Sequence, residues 1–289
     1  MKLAYPADRP KLLPALQRVL GARARMACAE VAAHGPNASV FELRKRSKEL
    51  RGLLRLLRGG WDAAPDWHGA IRDAAAKLAP ARDAEVMLAT FDSLTARRRT
   101  PSDFDSLRYA LLDEIDLSDA ALDPDAIAQF ADMMAAFAQA VTEMEIRGKT
   151  APSLWHNLAR TWDKGHHAYA AACHATEDAT AFHDWRKRLK QHWYQARFFK
   201  PIDPKTMRQH IAQVDGLARV LGAHNDLDVL DMYLRTTCPG DPALDRLALD
   251  LTALRNRHAQ TALTLGAALY NQPNPAEDWA KVWQVWCKG

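Results

Sequence analysis

Apolar residues recur at three- and four-residue spacing along nearly the whole chain, and no run alternates with the two-residue period of a half-buried strand. Ala, Leu, Arg, Glu and Gln fill the positions between. The pattern predicts helices at about 9–33, 39–58, 67–98, 124–147, 153–175, 180–200, 205–237 and 242–269, with a short one near 276–287. Breaks are expected where Pro, Gly, Asn and Asp cluster: His34-Gly35-Pro36-Asn37, Gly59-Gly60, Thr100-Pro101, Pro201 to Pro204, Pro239 to Pro242 and Asn271 to Pro275.

A repeat organises these helices. Shifted by 142 positions, Pro10 falls on Pro152, Leu12 on Leu154, Leu16 on Leu158 and Arg18 on Arg160. The same shift lays Leu43-Arg44-Lys45-Arg46-Ser47-Lys48 on Trp185-Arg186-Lys187-Arg188-Leu189-Lys190, and Arg55 on Arg197. At 143, residues 78–86 fall on residues 221–229. The expected fold is therefore all-α: two tandem four-helix bundles, residues 1–150 and 151–289, related by pseudo-two-fold symmetry, with their boundary near Gly148 to Pro152.

Composition adds exclusions. With 48% apolar and 26% charged residues the chain is globular in type and neither disordered nor collagen-like. No apolar run approaches the roughly 18 residues of a spanning helix, and residues 1–10 lack the apolar core of a secretory signal, so a cytoplasmic address is expected. Cys28, Cys173, Cys238 and Cys287 are far apart and form neither a zinc pattern nor a disulfide framework.

Net charge is only +4, yet it is segregated: residues 41–58 and 183–200 each carry a net +5, whereas residues 101–145 carry a net −10. At 100° per residue Phe41, Arg44, Lys48, Arg51, Arg55 and Arg58 share one stripe, with Leu43, Leu50, Leu53, Leu54 and Leu57 across the helix. The second copy places His183, Arg186, Lys190, Arg197 and Lys200 on the stripe, interrupted by Trp193, and Trp185, Leu189, Ala196 and Phe199 opposite. Four like-charged pairs in the first stripe cost roughly 1 to 2 kcal/mol unless an anion answers them. A solvated face, or pairing with the acidic segment 101–145, would also account for one such stripe; its duplication favours a polyanion. Arg18, Ala22 and Arg25, matched by Arg160, Lys164 and His167, lie on one face of the first helix of each half and extend the same surface, or are simply exposed.

Arg82-Asp83-Ala84-Glu85 and Asn225-Asp226-Leu227-Asp228 recur in register. These acids either orient the basic side chains through charge-assisted hydrogen bonds, cap or pair within a bundle, or bind a metal. No Glu-x-x-His partner accompanies them, the eleven histidines show no ligand spacing, and nucleophile-elbow and phosphate-loop motifs are absent, so no metal, no cofactor and no catalytic residue is expected.

The segments His183-Asp184-Trp185-Arg186-Lys187-Arg188-Leu189-Lys190 with Trp193-Tyr194-Gln195, Leu43 to Arg51, and the motifs at Arg82-Asp83 and Asn225-Asp226 together resemble the CHAD family, the conserved histidine α-helical domain. That resemblance implies basic helices lining a central cavity or groove that binds inorganic polyphosphate without catalysis, and association with polyphosphate granules. By the same resemblance Arg44, Lys48, Arg51, Arg55, Arg82, His183, Arg186, Lys187, Lys190 and Arg197 would contact phosphate, with Lys45 beside them. Phe41 stands where the first repeat of the family usually carries a histidine, and Trp193 where a basic residue is common. The alternatives are a nucleic-acid module, disfavoured because aromatic residues for stacking are sparse on the stripes, an acidic-protein adaptor, and a metal-dependent phosphoanhydride hydrolase using Asp83, Glu85, Asp226 and Asp228. No membrane partner is expected.

Overall fold

A computed structural model of the chain describes residues 3–8, 11–96, 100–120, 123, 125–146 and 150–288. It is all-α, with no strand among the described residues. The helices are α1 (Leu12–His34), α2 (Val40–Leu54), α3 (Ala64–Lys77), α4 (Ala79–Thr95), α5 (Asp105–Ala120), α6 (Ala126–Thr142), α7 (Thr150–His174), α8 (Ala179–Phe199), α9 (Pro204–Thr237), α10 (Pro242–Tyr270) and α11 (Ala276–Trp286). Gly148 of the expected boundary lies outside the described residues.

Helix starts follow from local chemistry. Ser39 Oγ accepts from the Glu42 N–H at the head of α2, and Asp178 from Thr180 N–H at the head of α8. Asp203 and Asp241, each followed by proline, cap α9 and α10. Ser39, Asp203 and Asp241 sit at or beside breaks expected from the sequence, and Asp178 lies between the helices expected at 153–175 and 180–200.

Two expectations are corrected. The single helix at 67–98 is two, α3 and α4, parted at Leu78. A proline at position 80 has no N–H to continue an unbroken helical ladder, whereas Ala223 at the matching place lets α9 run unbroken for 34 residues. The acidic stretch after Pro101 was assigned no element, yet it forms α5. Leu107 and Leu111 are buried there and Ile115 is half-buried, at four-residue spacing, while acids such as Asp105, Asp113 and Asp116 face solvent. Charge density concealed an ordinary amphipathic helix.

One core joins α1, α2, α3 and α6 through Leu16, Leu20, Leu43, Leu50, Phe130 and Phe137 and continues into Leu158, Phe198 and Phe199 of α7 and α8. A second gathers α7 to α10 about Trp162, Phe182 and Trp185. A third joins α4 and α5 to the C-terminal half of α9 and the start of α10, with Phe91 and Leu107 among Leu230, Leu234 and Leu247. Near the N-terminus, the Tyr5 N–H donates to the Phe198 carbonyl at 2.7 Å and the Tyr5 ring meets Trp286 edge-on, tying α8 to α11. No helix among the described residues is long and apolar enough to cross a membrane.

Candidate functional site

The contact between α2 and α8 places the basic residues. A Cβ on Gly52 would stand 2.8 Å from Tyr194 Cβ, so only glycine permits this approach. Beside it the buried Gln195 amide donates to the Gly52 carbonyl at 3.2 Å and to Thr161 Oγ1 at 3.3 Å. Leu43, Leu50, Leu53, Leu54 and Leu57 bury one side of the α2 segment, and Trp185, Leu189, Ala196 and Phe199 one side of α8, as the stripes require.

Glu49 anchors the crossing. Its carboxylate is 1% exposed and lies 3.3 Å from Arg23, 3.1 Å from Arg46 and 3.6 Å from Arg197. Three guanidinium groups therefore share one buried carboxylate, with Glu42 2.7 Å from Arg46 as a second counter-charge. Burial lowers the pKa of Arg23, which Glu49 opposes. Glu49 and Arg23 were not among the expected site residues. Their signal was present: Arg23 lies between Leu20, Ala24 and Ala27 on the apolar face of α1, and a buried arginine requires a buried acid.

Around this anchor the other cations stand in one another's fields. The Lys48 ammonium is pushed down to about 8, first by lost hydration and then by Arg44, Arg186 and Arg51, with Asp83 opposing. Lys48 still reaches solvent, so its lost hydration comes from surrounding protein rather than enclosure. Lys190 is likewise pushed down to about 8, by burial foremost, with Asp215 opposing and Arg186, Lys48 and Arg197 reinforcing. Burial and then Arg188, Arg51 and Arg58 bring Arg55 to about 10, and burial followed by Arg72 lowers Arg51. Arg186 lies against Gly222, its Nε 3.6 Å from where a Cβ would sit.

The paired motifs meet these cations. Asp83 accepts from Arg44 at 3.0 Å. In the second half Asn225 Oδ1 accepts from His183 Nδ1 and Asn225 Nδ2 donates to Asp226 at 3.4 Å, leaving His183 Nε2 unengaged by this chain of bonds. Asp228 instead pairs with Arg255 at 3.2 Å. Trp193 does not merely interrupt the stripe: Lys190 Nζ is 3.7 Å and the Arg197 guanidinium carbon 4.6 Å from its ring centroid.

Other expected residues stand apart or are locally answered. Lys45 and Lys187 each pair with the acid three residues earlier, Glu42 at 2.9 Å and Asp184 at 3.1 Å. Arg18 pairs with Asp8 at 2.7 Å. Arg25 lies over Gly21, and His167 is exposed on α7. Arg160 and Lys164 reach the far end of the α2 segment, near Arg55 and Arg58. The Arg82 side chain lies outside the described residues. Among the described residues, no acid of 101–145 is ion-paired to the basic stripe, and no three His, Cys, Asp or Glu side chains are grouped to hold a metal ion.

An all-helical fold built around two cation-bearing helices defines the class, and similarity to known proteins narrows it. The CHAD domain model matches residues 15–235, and the chain belongs to that family. The crystal structure of the CHAD domain from the plant Ricinus communis is similar in fold, with a TM-score of 0.59 at 18% identity over 97% of this chain and 92% of that one. Among curated proteins none matches the sequence.

Proposed function

We propose that this protein binds inorganic polyphosphate, without catalysing a reaction on it, in a basic groove between α2 and α8. In this reading residues 1–150 and 151–289 are tandem bundles about a pseudo-two-fold axis passing near the Gly52–Tyr194 contact. Those two residues are themselves 142 positions apart, the offset of the repeat.

The observation that carries the reading is the pair Lys48 and Lys190. Equivalent lysines from opposite halves both stand in the field of Arg186, and Lys48 acts on Lys190 as well; both are held near 8, by burial first and then by neighbouring cations that Asp83 and Asp215 only partly offset. A folded protein that gathers cations at such cost gains most from a ligand with a negative charge on every repeating unit. Arg44, Arg51, Arg55, Arg186 and Arg197 supply planar forks to adjacent phosphate oxygens, Lys48 and Lys190 mobile point charges, and His183 its Nε2. The reading requires no cofactor, metal or membrane, and it suits a cytoplasmic protein recruited to polyphosphate granules.

Titration with long-chain polyphosphate and, separately, with duplex DNA of matched total charge, at low and near-physiological salt, tests this directly. Polyphosphate binding should persist in salt while DNA binding is lost. Equal, salt-labile binding of both would replace the reading with a generic cationic surface. Lys48→Glu/Lys190→Glu should weaken polyphosphate binding by at least about a hundredfold with helical content unchanged.

A further inference from the structure

The acidic segment, which the polyanion site leaves unused, carries a patterned outer face on α5. At 100° per residue Asp105, Tyr109, Asp113, Asp116 and Leu117 fall within an arc of about 120°, across the helix from the buried Leu107 and Leu111. All five are exposed, Tyr109 and Leu117 each at 65%. Two large apolar side chains set among three carboxylates suit a cationic partner: the Tyr109 ring can face a guanidinium or ammonium while the acids hold its neighbours.

Within the chain this face goes unanswered. Among the described residues Asp105, Asp113 and Asp116 take part in no ion pair. Arg108, the lone base of residues 101–145, is turned to Asp92 of α4 at 2.9 Å. The acids that act most on Lys48 and Lys190 are Asp83 and Asp215, neither of them on α5. Nor is α5 free to swing onto the basic helices: it is packed into the third core, and Tyr233 Oη of α9 donates to the Ala110 carbonyl at 3.0 Å. A complementary face nevertheless exists on every copy. Along α2, Phe41 is 52% exposed at the head of the stripe that carries Arg44, Lys48 and Arg51. A net −10 over residues 101–145 stands against +5 over residues 41–58 and +5 over residues 183–200.

We propose that the outer face of α5 is a docking surface for a second copy of this chain, taking the basic face of α2 and α8 of that copy. Acidic and basic faces are different surfaces, so the contact is head-to-tail: each copy offers one of each, and association continues beyond a pair unless the rotation closes a ring. The contact requires only the cationic character of α2 and α8, whatever anion they hold otherwise. Its strength comes from opposed charge, so it weakens with salt.

Sedimentation equilibrium of the full chain decides it, with the wild type, an acidic-face variant (Asp105→Asn/Asp113→Asn/Asp116→Asn) and a basic-face variant (Lys48→Gln/Lys190→Gln), both checked for wild-type helicity. The wild type should associate as its concentration rises at low salt, and at least about tenfold more weakly at near-physiological salt. Each variant alone should self-associate at least about tenfold more weakly than the wild type at low salt. An equimolar mixture of the two should form pairs and stop there, because one intact acidic face meets one intact basic face and no second match of that kind remains. A wild type that stays monomeric, an acidic-face variant that associates as the wild type does, or a mixture no more associated than its components would overturn the proposal. Poly-lysine bound by a monomeric wild type and not by the acidic-face variant would overturn it in favour of a separate basic partner. Polyphosphate is absent from every arm, so the polyphosphate reading can fail while this contact stands.

Discussion

At the scale of single residues, the pKa of Lys48 and Lys190 is the most direct handle on function. Both fall from the ordinary lysine value of 10.5 to about 8 in the folded protein. Below pH 8 both folded and unfolded lysines are charged, so the full cost of crowding is present; it is relieved as pH rises from 8 toward 10.5, where the folded form has lost its proton first. The unliganded protein should therefore gain relative stability from these two groups between pH 8 and 10, while polyphosphate affinity declines over the same interval. A bound polyanion restores the charged form, so binding near pH 8.5 should take up protons, visible as a binding enthalpy that depends on the ionisation heat of the buffer. Lys48→Met should stabilise the free protein by about 0.5 kcal/mol, through removal of like-charge neighbours, and weaken binding. Urea unfolding and titration of the same preparation would read the two opposed effects. Glu49 behaves in the contrary way: Glu49→Gln leaves Arg23, Arg46 and Arg197 without their shared carboxylate and should cost about 3 to 5 kcal/mol in urea unfolding.

At the scale of elements, the approach of α2 to α8 is set by the missing side chain at Gly52. Gly52→Ala puts a methyl carbon within 2.8 Å of Tyr194 Cβ, where neither backbone-proximal atom can rotate away, so the helices must part. The expected cost is about 1 to 3 kcal/mol, measured by urea unfolding, with polyphosphate affinity lowered further than stability alone explains, because the two basic faces separate together. Apolar spacing alone placed the starts of α2 and α8 within a residue of where the structure has them, next to the caps Ser39 and Asp178. It failed at α3–α4, where unbroken periodicity hid the effect of Pro80, and at α5, where acids drew attention from Leu107, Leu111 and Ile115.

At the scale of the whole molecule, acid sensitivity is built in by buried histidines, most of them in the second half. His192 and His210 are buried, their Nε2 atoms 2.7 Å apart, among Trp162, Trp279 and Tyr270. Burial first and the neighbouring His210 next hold His192 well below its ordinary value, and burial brings His210 to about 4. His224, stacked on Phe182, and His68 are also held at about 4, burial being the leading cause in each. Between pH 6.5 and 4 the unfolded histidines take up protons that the folded ones refuse, so stability is complete above about 6.5 and is lost as pH falls toward 4. The urea midpoint should drop steeply between pH 7 and 4.5, and His192→Leu/His210→Leu should flatten that slope; an unchanged slope would mean the pair is not the titrating element.

The amino-acid sequence by itself determined the helical class, the repeat, the apolar side of each basic helix and the residues of both stripes, because periodicity and charge placement are properties of a helix before it meets any other. Tertiary structure alone decided which cations share a field. Arg197 and Arg46 are drawn to Glu49, Lys45 and Lys187 are answered within their own helices, and Arg188 joins Arg55, Arg58, Arg160 and Lys164 in one cationic field that no single helix outlines. A helical wheel gives the direction of a side chain from its own axis, but Coulomb energy depends on the distance between axes, and that distance is set by a glycine and a tyrosine 142 residues apart.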